Sequence, residues 1–418
     1  MSNNSLAAAE GAGRSRKFML AVILGSLSAF GPLSLDMYLP ALPKLADDLH
    51  TTASLAQLSL TSCLLGLAIG QVFAGSISDI KGRRGPLMIG LAVYTAASLL
   101  CAIVPSVWGL IVLRFIQGMA GSAGIVLSRA VVRDMYSGPE LTRFFSLLML
   151  INGVAPILAP IAGGQLLQFT SWQGVFIVLA LIGVIMLLAS WKGLPETLPP
   201  DRRTKGGVKQ TVATFKTLLR DRIFMGYALS QGLVAAAMFA YISGSPFVIQ
   251  NIFGASPQMF SLFFAINGLG IILAGQIAGR LAGRVSETSL LISGLIIAGL
   301  GGVTLLGMIL AGAGLTAILI PLFFVVSSVG IVNTAGFSLA MQNYGHSAGS
   351  ASALLGLLSF IFGGLVAPLV GIAGSGTAVP MGIVIAAADV GAILCYYFMV
   401  KRHSARAGQS AESAASPR

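Results

Sequence analysis

Asp36 lies inside an apolar stretch that runs from Phe18 to Leu42, and Asp389 lies inside another near the end of the chain. A charge at the centre of a membrane helix costs about 2.5–3.5 kcal/mol on insertion scales, so a carboxylate kept there needs a use that offsets the cost. The chemistry open to it is proton binding or ion pairing. Arg114 is the matching cation, in Leu110-Ile-Val-Leu-Arg114-Phe-Ile-Gln117-Gly118. It stands seven residues inside its stretch, roughly 10 Å from the nearer end at 1.5 Å per residue. Snorkelling over that distance is strained.

These groups matter only if the stretches around them cross a membrane, and composition says that they do. Of 418 residues, 56% are apolar and 9% charged, where a soluble chain carries about 25% charged residues; mean hydropathy is +0.90. The 52 Gly and 17 Pro suit membrane helices, in which small residues let backbones approach closely. Twelve spans of sufficient length fall at 18–40, 53–75, 86–105, 107–128, 141–168, 172–191, 222–249, 257–279, 287–310, 314–340, 348–372 and 376–400. With the amino terminus inside, only Lys44 of the 25 Lys and Arg falls outside and only Arg114 stands deep within a span, Arg143 and Arg222 lying at the inner ends of theirs. The net charge of +12 is therefore a topology signal, with an attraction to anionic lipid headgroups, and not the mark of a nucleic-acid partner. The first span is too long for a signal-peptide core and lacks a small-residue cleavage site. Cys63, Cys101 and Cys395 fall inside spans without CxxC spacing, and His50, His346 and His403 are scattered, so no disulfide, metal site or catalytic triad is expected.

The expected organisation is an all-α membrane protein with a cytoplasmic tail at 1–17, a six-helix bundle at 18–192, a basic cytoplasmic linker at 193–221, a second bundle at 222–400 and a cytoplasmic tail at 401–418. The halves echo each other. Gly75 and Arg84 match Gly275 and Arg284, and Val154-Ala155-Pro156 matches Val366-Ala367-Pro368. Six spans per half give a parallel repeat, the arrangement expected when two bundles rock about a site between them.

After the second span, Gly75-Ser-Ile-Ser-Asp79-Ile-Lys-Gly82-Arg83-Arg84 resembles the GxxxDxxGRR signature of the major facilitator superfamily. Its glycines permit close packing and a tight turn, and Asp79 can pair with a cation or a helix amino terminus; such contacts latch one conformation. The string around Arg114 is similar to the LxxxRxxQG motif of proton-driven drug exporters, with Gly121 and Ser128 continuing one small, polar face. Leu33-Ser-Leu-Asp36-Met-Tyr38-Leu-Pro-Ala-Leu-Pro43 resembles the first-helix signature of the bicyclomycin and chloramphenicol resistance (Bcr/CflA) family, as do the strings at 129–136 and 241–250. Ala155-Pro156-Ile-Leu-Ala159-Pro160 stands where antiporters carry GPxxGG, with Ala for Gly and a second proline; both prolines are expected to bend the fifth helix.

The resemblance implies a proton-coupled antiporter of the bacterial inner membrane that exports amphipathic drugs by alternating access, without cofactor, driven by the proton gradient and acting as a monomer. Asp36, expected four residues below the outer end of its span, reaches the depth of Arg114. The pair is read as a proton and substrate switch or, alternatively, as a static tie between helices one and four. Asp389 is a candidate second proton site at a different depth. Tyr38, Gln117, Asn152, Tyr241, Asn267 and Asn333 are candidate cavity residues, each also suited to an interhelical hydrogen bond. A metabolite exporter or nutrient symporter on the same fold is the nearest alternative. A membrane-embedded enzyme is more remote, because no catalytic spacing accompanies Asp36 and Arg114, and no GxxxxGK[ST] loop points to ATP.

Overall fold

The structure is a computed structural model that describes residues 17–203, 215–342, 344 and 348–402. His346 and His403, and nearly all of both tails, lie outside the described residues. Twelve helices are long and apolar enough to span: α1 (Lys17–Asp48), α2 (Ala53–Lys81), α3 (Arg84–Ile103), α4 (Val107–Met135), α5 (Gly138–Leu166), α6 (Trp172–Gly193), α7 (Arg222–Ile252), α8 (Pro257–Leu281), α9 (Glu287–Leu310), α10 (Leu315–Met341), α11 (Ala348–Val370) and α12 (Val379–Lys401). Large apolar side chains such as Phe18, Ile103, Phe169 and Ile372 are at least 73% exposed, which in water would be a liability and in a bilayer is the expected outer surface.

Three helices outrun the spans read from hydropathy. The first does not stop at Pro40. It passes through Phe30–Asp36, a 3-10 turn at Leu39–Ala41 and a last piece at Leu42–Asp48. The interruptions follow from proline chemistry: Pro32, Pro40 and Pro43 offer no N–H to the carbonyls four residues earlier, and around Ala29 the chain tightens, with its N–H on Ser26 O at 3.1 Å. Asp36 is therefore twelve residues from the helix end at Asp48. α2 continues to Lys81, so Gly75 and Asp79 sit on its last turns and not in a loop. Gly82 ends it with φ of +94°, a conformation that favours glycine. α4 continues to Met135, seven residues past the expected end.

The chain divides into two compact units, Met1–Ala41 with Ser62–Gly207, and Leu42–Thr61 with Val208–Arg418. In the first, α2 and α4 cross with almost no side chain between them. A Cβ on Gly66 would lie 2.2 Å from Phe115 O, one on Gly70 2.5 Å from Met119 O, and one on Gly118 2.1 Å from Cys63 O. α1 and α5 approach as closely where Gly163 meets Met37 O. α5 runs unbroken through Pro156 and Pro160, so the expected bend does not interrupt it. In the second unit α7 is the buried hub, packed by α10, α11 and α12. Its N-terminus is capped by Asp221, which accepts from Ile223 N and Phe224 N at 2.8 and 3.0 Å and from the Tyr344 hydroxyl. Gly330 of α10 sits against Ile271 O of α8. The end of α1 and the start of α2, Leu42–Thr61, belong to this unit, with Ser54 Oγ donating to Pro368 O at 2.9 Å and Gln57 Nε2 to Ser243 O at 3.0 Å.

Candidate functional site

Arg114 is wholly enclosed in the first unit, at 0% exposure. One guanidinium nitrogen donates to Ser34 O at 2.7 Å and another to Gln117 Oε1; Gln117 Nε2 then donates to Ser98 Oγ at 2.7 Å, and Ser34 Oγ meets the Tyr94 hydroxyl at 2.8 Å. The guanidinium also lies over the Tyr38 ring at 4.3 Å and near that of Phe176 at 5.6 Å. Four helices, α1, α3, α4 and α6, are thus tied through one cation. The spacing in the sequence explains it: Arg114, Gln117, Gly118 and Gly121 share a face of α4, and the glycines let α2 and α3 close over the charge.

Asp36 belongs to the same neighbourhood but not to the same bonds. It is 7% exposed, and among the described residues its carboxylate makes no hydrogen bond or ion pair. Arg114 instead holds the carbonyl of Ser34, two residues before Asp36, and its own Nε has no partner. Tyr38 and Gln117, expected as cavity residues, are buried at 0% and serve the Arg114 network.

A second polar centre forms at the basic end of the first unit. Arg83, 3% exposed, donates Nε to Asp134 Oδ2 at 2.8 Å, and Nη1 to Ser78 Oγ at 2.9 Å and Asp79 Oδ1 at 2.5 Å. Glu196, just past α6, accepts the backbone N–H of Arg83, Arg84 and Leu198 at 2.8, 3.1 and 2.9 Å, while Arg84 Nη2 donates to Trp191 O. A Cβ on Gly82 would meet Glu196 Oε2 at 2.5 Å, so the turn and the glutamate fit only with glycine there. Burial alone pushes the Glu196 carboxyl up, but the backbone N–H groups of Leu198, Arg83, Arg84 and Thr197 outweigh it and hold the group below its ordinary range. Burial likewise works against the charged form of Arg83, and Asp134 and Asp79 reverse that, raising it.

Sequence reasoning placed Gly75, Asp79, Gly82, Arg83 and Arg84 here but missed their partners. Asp134 was visible in the string at 129–136, and Glu196 as an acid directly after a span; neither distance is legible along the chain. Arg129 was missed as well. With α4 ending at Met135 it joins Arg114 and Arg133 within that helix, partly buried and without a hydrogen-bond partner among the described residues.

The other expected residues scatter. Tyr241 and Asn267 meet, with Asn267 Nδ2 donating to the Tyr241 hydroxyl at 2.9 Å and Phe264 stacked on the Tyr241 ring. Asn152 donates back to Leu148 O within α5. Asn333 is exposed in the middle of α10. Asp389 is 0% exposed in α12, far in sequence and in a different unit from Asp36. Two adjoining apolar cavities open on the first unit. One, of about 540 Å³, lies among α1, α5 and α6; the other, of about 420 Å³, lies between Leu33 of α1 and the Leu150–Ala162 face of α5.

Twelve spanning helices with charges kept at membrane depth define a multi-pass protein of the bacterial inner membrane, a transporter and not an enzyme. The model of the Major Facilitator Superfamily matches residues 22–368, and the chain belongs to that family. It is 47% identical to the uncharacterized MFS-type transporter YdgK of Bacillus subtilis, over 94% of this chain and 98% of that one. It is 30% identical to a bicyclomycin resistance protein homolog of Haemophilus influenzae, over 92% and 97% of the two chains, and 30% identical to multidrug resistance protein D of Escherichia coli, over 85% and 89%. These relatives bear out the resemblance read from the first and fourth helices. Among solved structures, a point mutant of the nucleoside transporter NupG aligns with a TM-score of 0.76 at 14% identity over 92% of this chain and all of that one, and the xylose transporter XylE from E. coli with 0.69 at 15% over 92% and 98%. At such identity they establish the fold alone.

Proposed function

We propose that this transporter is a proton-coupled antiporter that exports amphipathic antibiotics by alternating access, with Asp36 as the group that takes and releases the proton. The observation that carries the reading is the isolation of Asp36: a buried carboxylate without a partner, two residues from a carbonyl clamped by Arg114. A carboxylate serving only as a helix tie would be expected to hold the cation; here the cation holds the backbone and leaves the acid free to titrate. Arg114 then acts as the positioning residue, fixing the broken part of α1 that bears Asp36. The Arg83 centre is read as the latch of one conformation, at the cytoplasmic side where both termini lie. The apolar cavities of the first unit fall in the volume range of small-molecule sites, about 300–1,000 Å³, and their Leu, Ile and Met lining suits lipophilic cargo. Asn333 is the remaining cavity candidate, since an exposed amide at membrane depth is costly against lipid.

The relatives named for bicyclomycin and multidrug resistance supply the substrate class. The test is a drug-susceptibility panel in an efflux-deficient host with wild type and Asp36→Asn at equal membrane expression. Resistance conferred by wild type and lost in Asp36→Asn supports the reading. Resistance retained by Asp36→Asn, or transport confined to sugars or amino acids, overturns it.

A further inference from the structure

Asp389 is the one acid of the second unit at membrane depth among the described residues, and nothing in the first unit's network involves it. It lies in α12 between α7 and α9, the helices on which α12 packs most extensively. Its exposure is 0%, and both carboxylate oxygens are buried without a hydrogen-bond partner. The niche is shaped for it by α9. Gly299 and Gly302 bring that helix close to α12, and a Cβ on Gly302 would lie 3.0 Å from Asp389 Oδ2. Ser230 of α7 reaches α12 one turn past the acid, where its hydroxyl donates to Gly226 O and Ala392 O. The titratable groups on the packed helices are Arg222, Tyr227 and Tyr241 on α7, Glu287 on α9, and Cys395, Tyr396, Tyr397 and Lys401 further along α12; among the described residues none bonds or ion-pairs with Asp389. α11 contributes no titratable side chain.

A carboxyl retained for structure would be expected to fill its acceptor sites, because a buried polar group without partners destabilises the fold. Asp389 fills none among the described residues, and an apolar residue would suit the niche better. Seven residues further along, α12 loosens into a π-helical turn at Tyr396–Lys401, a feature frequent at functional positions.

We propose that Asp389 is a second proton-binding site, independent of Asp36, that adds one proton to each transport cycle. In the conformation seen here it is the neutral acid. When α12 and α9 part enough to admit water, the O–H bond breaks, the electron pair stays on the carboxylate oxygen and the proton leaves with water; re-enclosure follows reprotonation from the opposite side. This inference rests on the proton-coupled reading above. With one coupling proton fewer per cycle, the drug gradient sustained by a difference of one pH unit should fall about tenfold, since one pH unit corresponds to about a tenfold concentration ratio per proton.

Two measurements test it. The first is drug accumulation in proteoliposomes under an imposed pH difference, for wild type and Asp389→Asn, with exchange of labelled for unlabelled drug in the absence of a gradient as the control. The expectation is intact exchange with a tenfold weaker gradient-driven accumulation. The second is the infrared difference spectrum of the purified protein across a pH titration. It is expected to show a protonated-carboxyl band that survives Asp36→Asn, shifts in Asp389→Glu and vanishes in Asp389→Asn. Asp389→Asn with wild-type accumulation and pH profile, or a carboxyl spectrum that does not change with Asp389, overturns the proposal. If Asp389→Asn does not fold, the Asp389→Glu shift decides. If wild type exports no drug yet the Asp389 band titrates, the export reading fails and the proton site stands; drug export with no Asp389 titration has the opposite meaning.

Discussion

Replacing Gly118 by alanine should disrupt the α2–α4 crossing and, with it, the seat of Arg114. The added Cβ would lie 2.1 Å from Cys63 O, and the neighbouring Cys63 C and Cα stand at 2.9 and 3.1 Å. All three are backbone atoms, so no rotamer change relieves the clash. Ordinary contact begins near 3.4 Å, so the two helices must part by roughly 1 Å, and a gap of that size already forfeits a quarter to a half of each van der Waals contact around it. The reciprocal glycines at 66 and 70 pack on the same crossing and lose contact together. Overpacking of this kind costs about 1–3 kcal/mol. Arg114 precedes Gly118 by one helical turn, so displacement of α4 also stretches its 2.7 Å bond to Ser34 O. The assay is the thermal midpoint of the detergent-solubilised protein by size-exclusion survival, with Gly85→Ala as the control. Nothing lies within 4 Å of a Cβ at Gly85, and alanine in a helix is favoured over glycine by about 0.5–1 kcal/mol. The two variants should therefore move in opposite directions, and Gly66→Ala should add less than its own cost to Gly118→Ala. A Gly118→Ala protein as stable as wild type would refute the close crossing.

Other consequences follow from the two ends of the units. Arg83→Gln leaves Asp134 and Asp79 facing each other without a cation; with side chains 14% and 44% exposed, water screens part of the repulsion, and the expected loss is about 1–3 kcal/mol, below that of a fully buried pair. A double-mutant cycle with Asp134→Asn measures it, and strict additivity would show that the two do not interact. The Glu196 carboxyl is held below its ordinary value of 4.5, so its bonds to the turn stabilise fully above that value and are lost as pH falls through the folded value. Exchange of the Arg83 and Arg84 amides, corrected for intrinsic rate, should rise in that acid range and not in Glu196→Gln; a flat profile in wild type would count against the contact. Asp221→Ala removes the α7 cap, worth about 1 kcal/mol, and the partner of Tyr344, whose hydroxyl burial and Asp221 together push up to about 12. The Tyr344 ultraviolet titration should then move down; an unchanged titration would exclude the bond.

Much of the fold was legible because the bilayer simplifies the code. Uninterrupted apolar length and the one-sided distribution of Lys and Arg suffice to count twelve spans. The helix ends were less legible: hydropathy stops at Gly75, whereas α2 continues through polar Ser76, Ser78 and Asp79 because helix geometry ends at Gly82, where φ turns positive. The same effect hid Arg129. The end of the first helix was missed because Pro40 reads as a terminus, while a 3-10 turn and a new helical start carry the helix on to Asp48. Among the candidate site residues, periodicity alone foretold that Arg114 and Gln117 share a face. It did not foretell that the guanidinium takes the carbonyl of Ser34, because backbone acceptors carry no sequence signature. Glu196 and Gly82 are 114 residues apart in the chain, and only the fold shows that one requires the other.

The central claim is that Asp36 carries a proton in exchange for an amphipathic drug, and drug-driven proton movement in everted membrane vesicles tests it most directly. Vesicles holding the wild-type chain should release protons from an acidified lumen when drug is added, in proportion to drug uptake. Asp36→Asn, at equal expression and with its drug binding retained, should take up no drug against a gradient and release no proton. Proton release by Asp36→Asn equal to that of wild type would contradict the account.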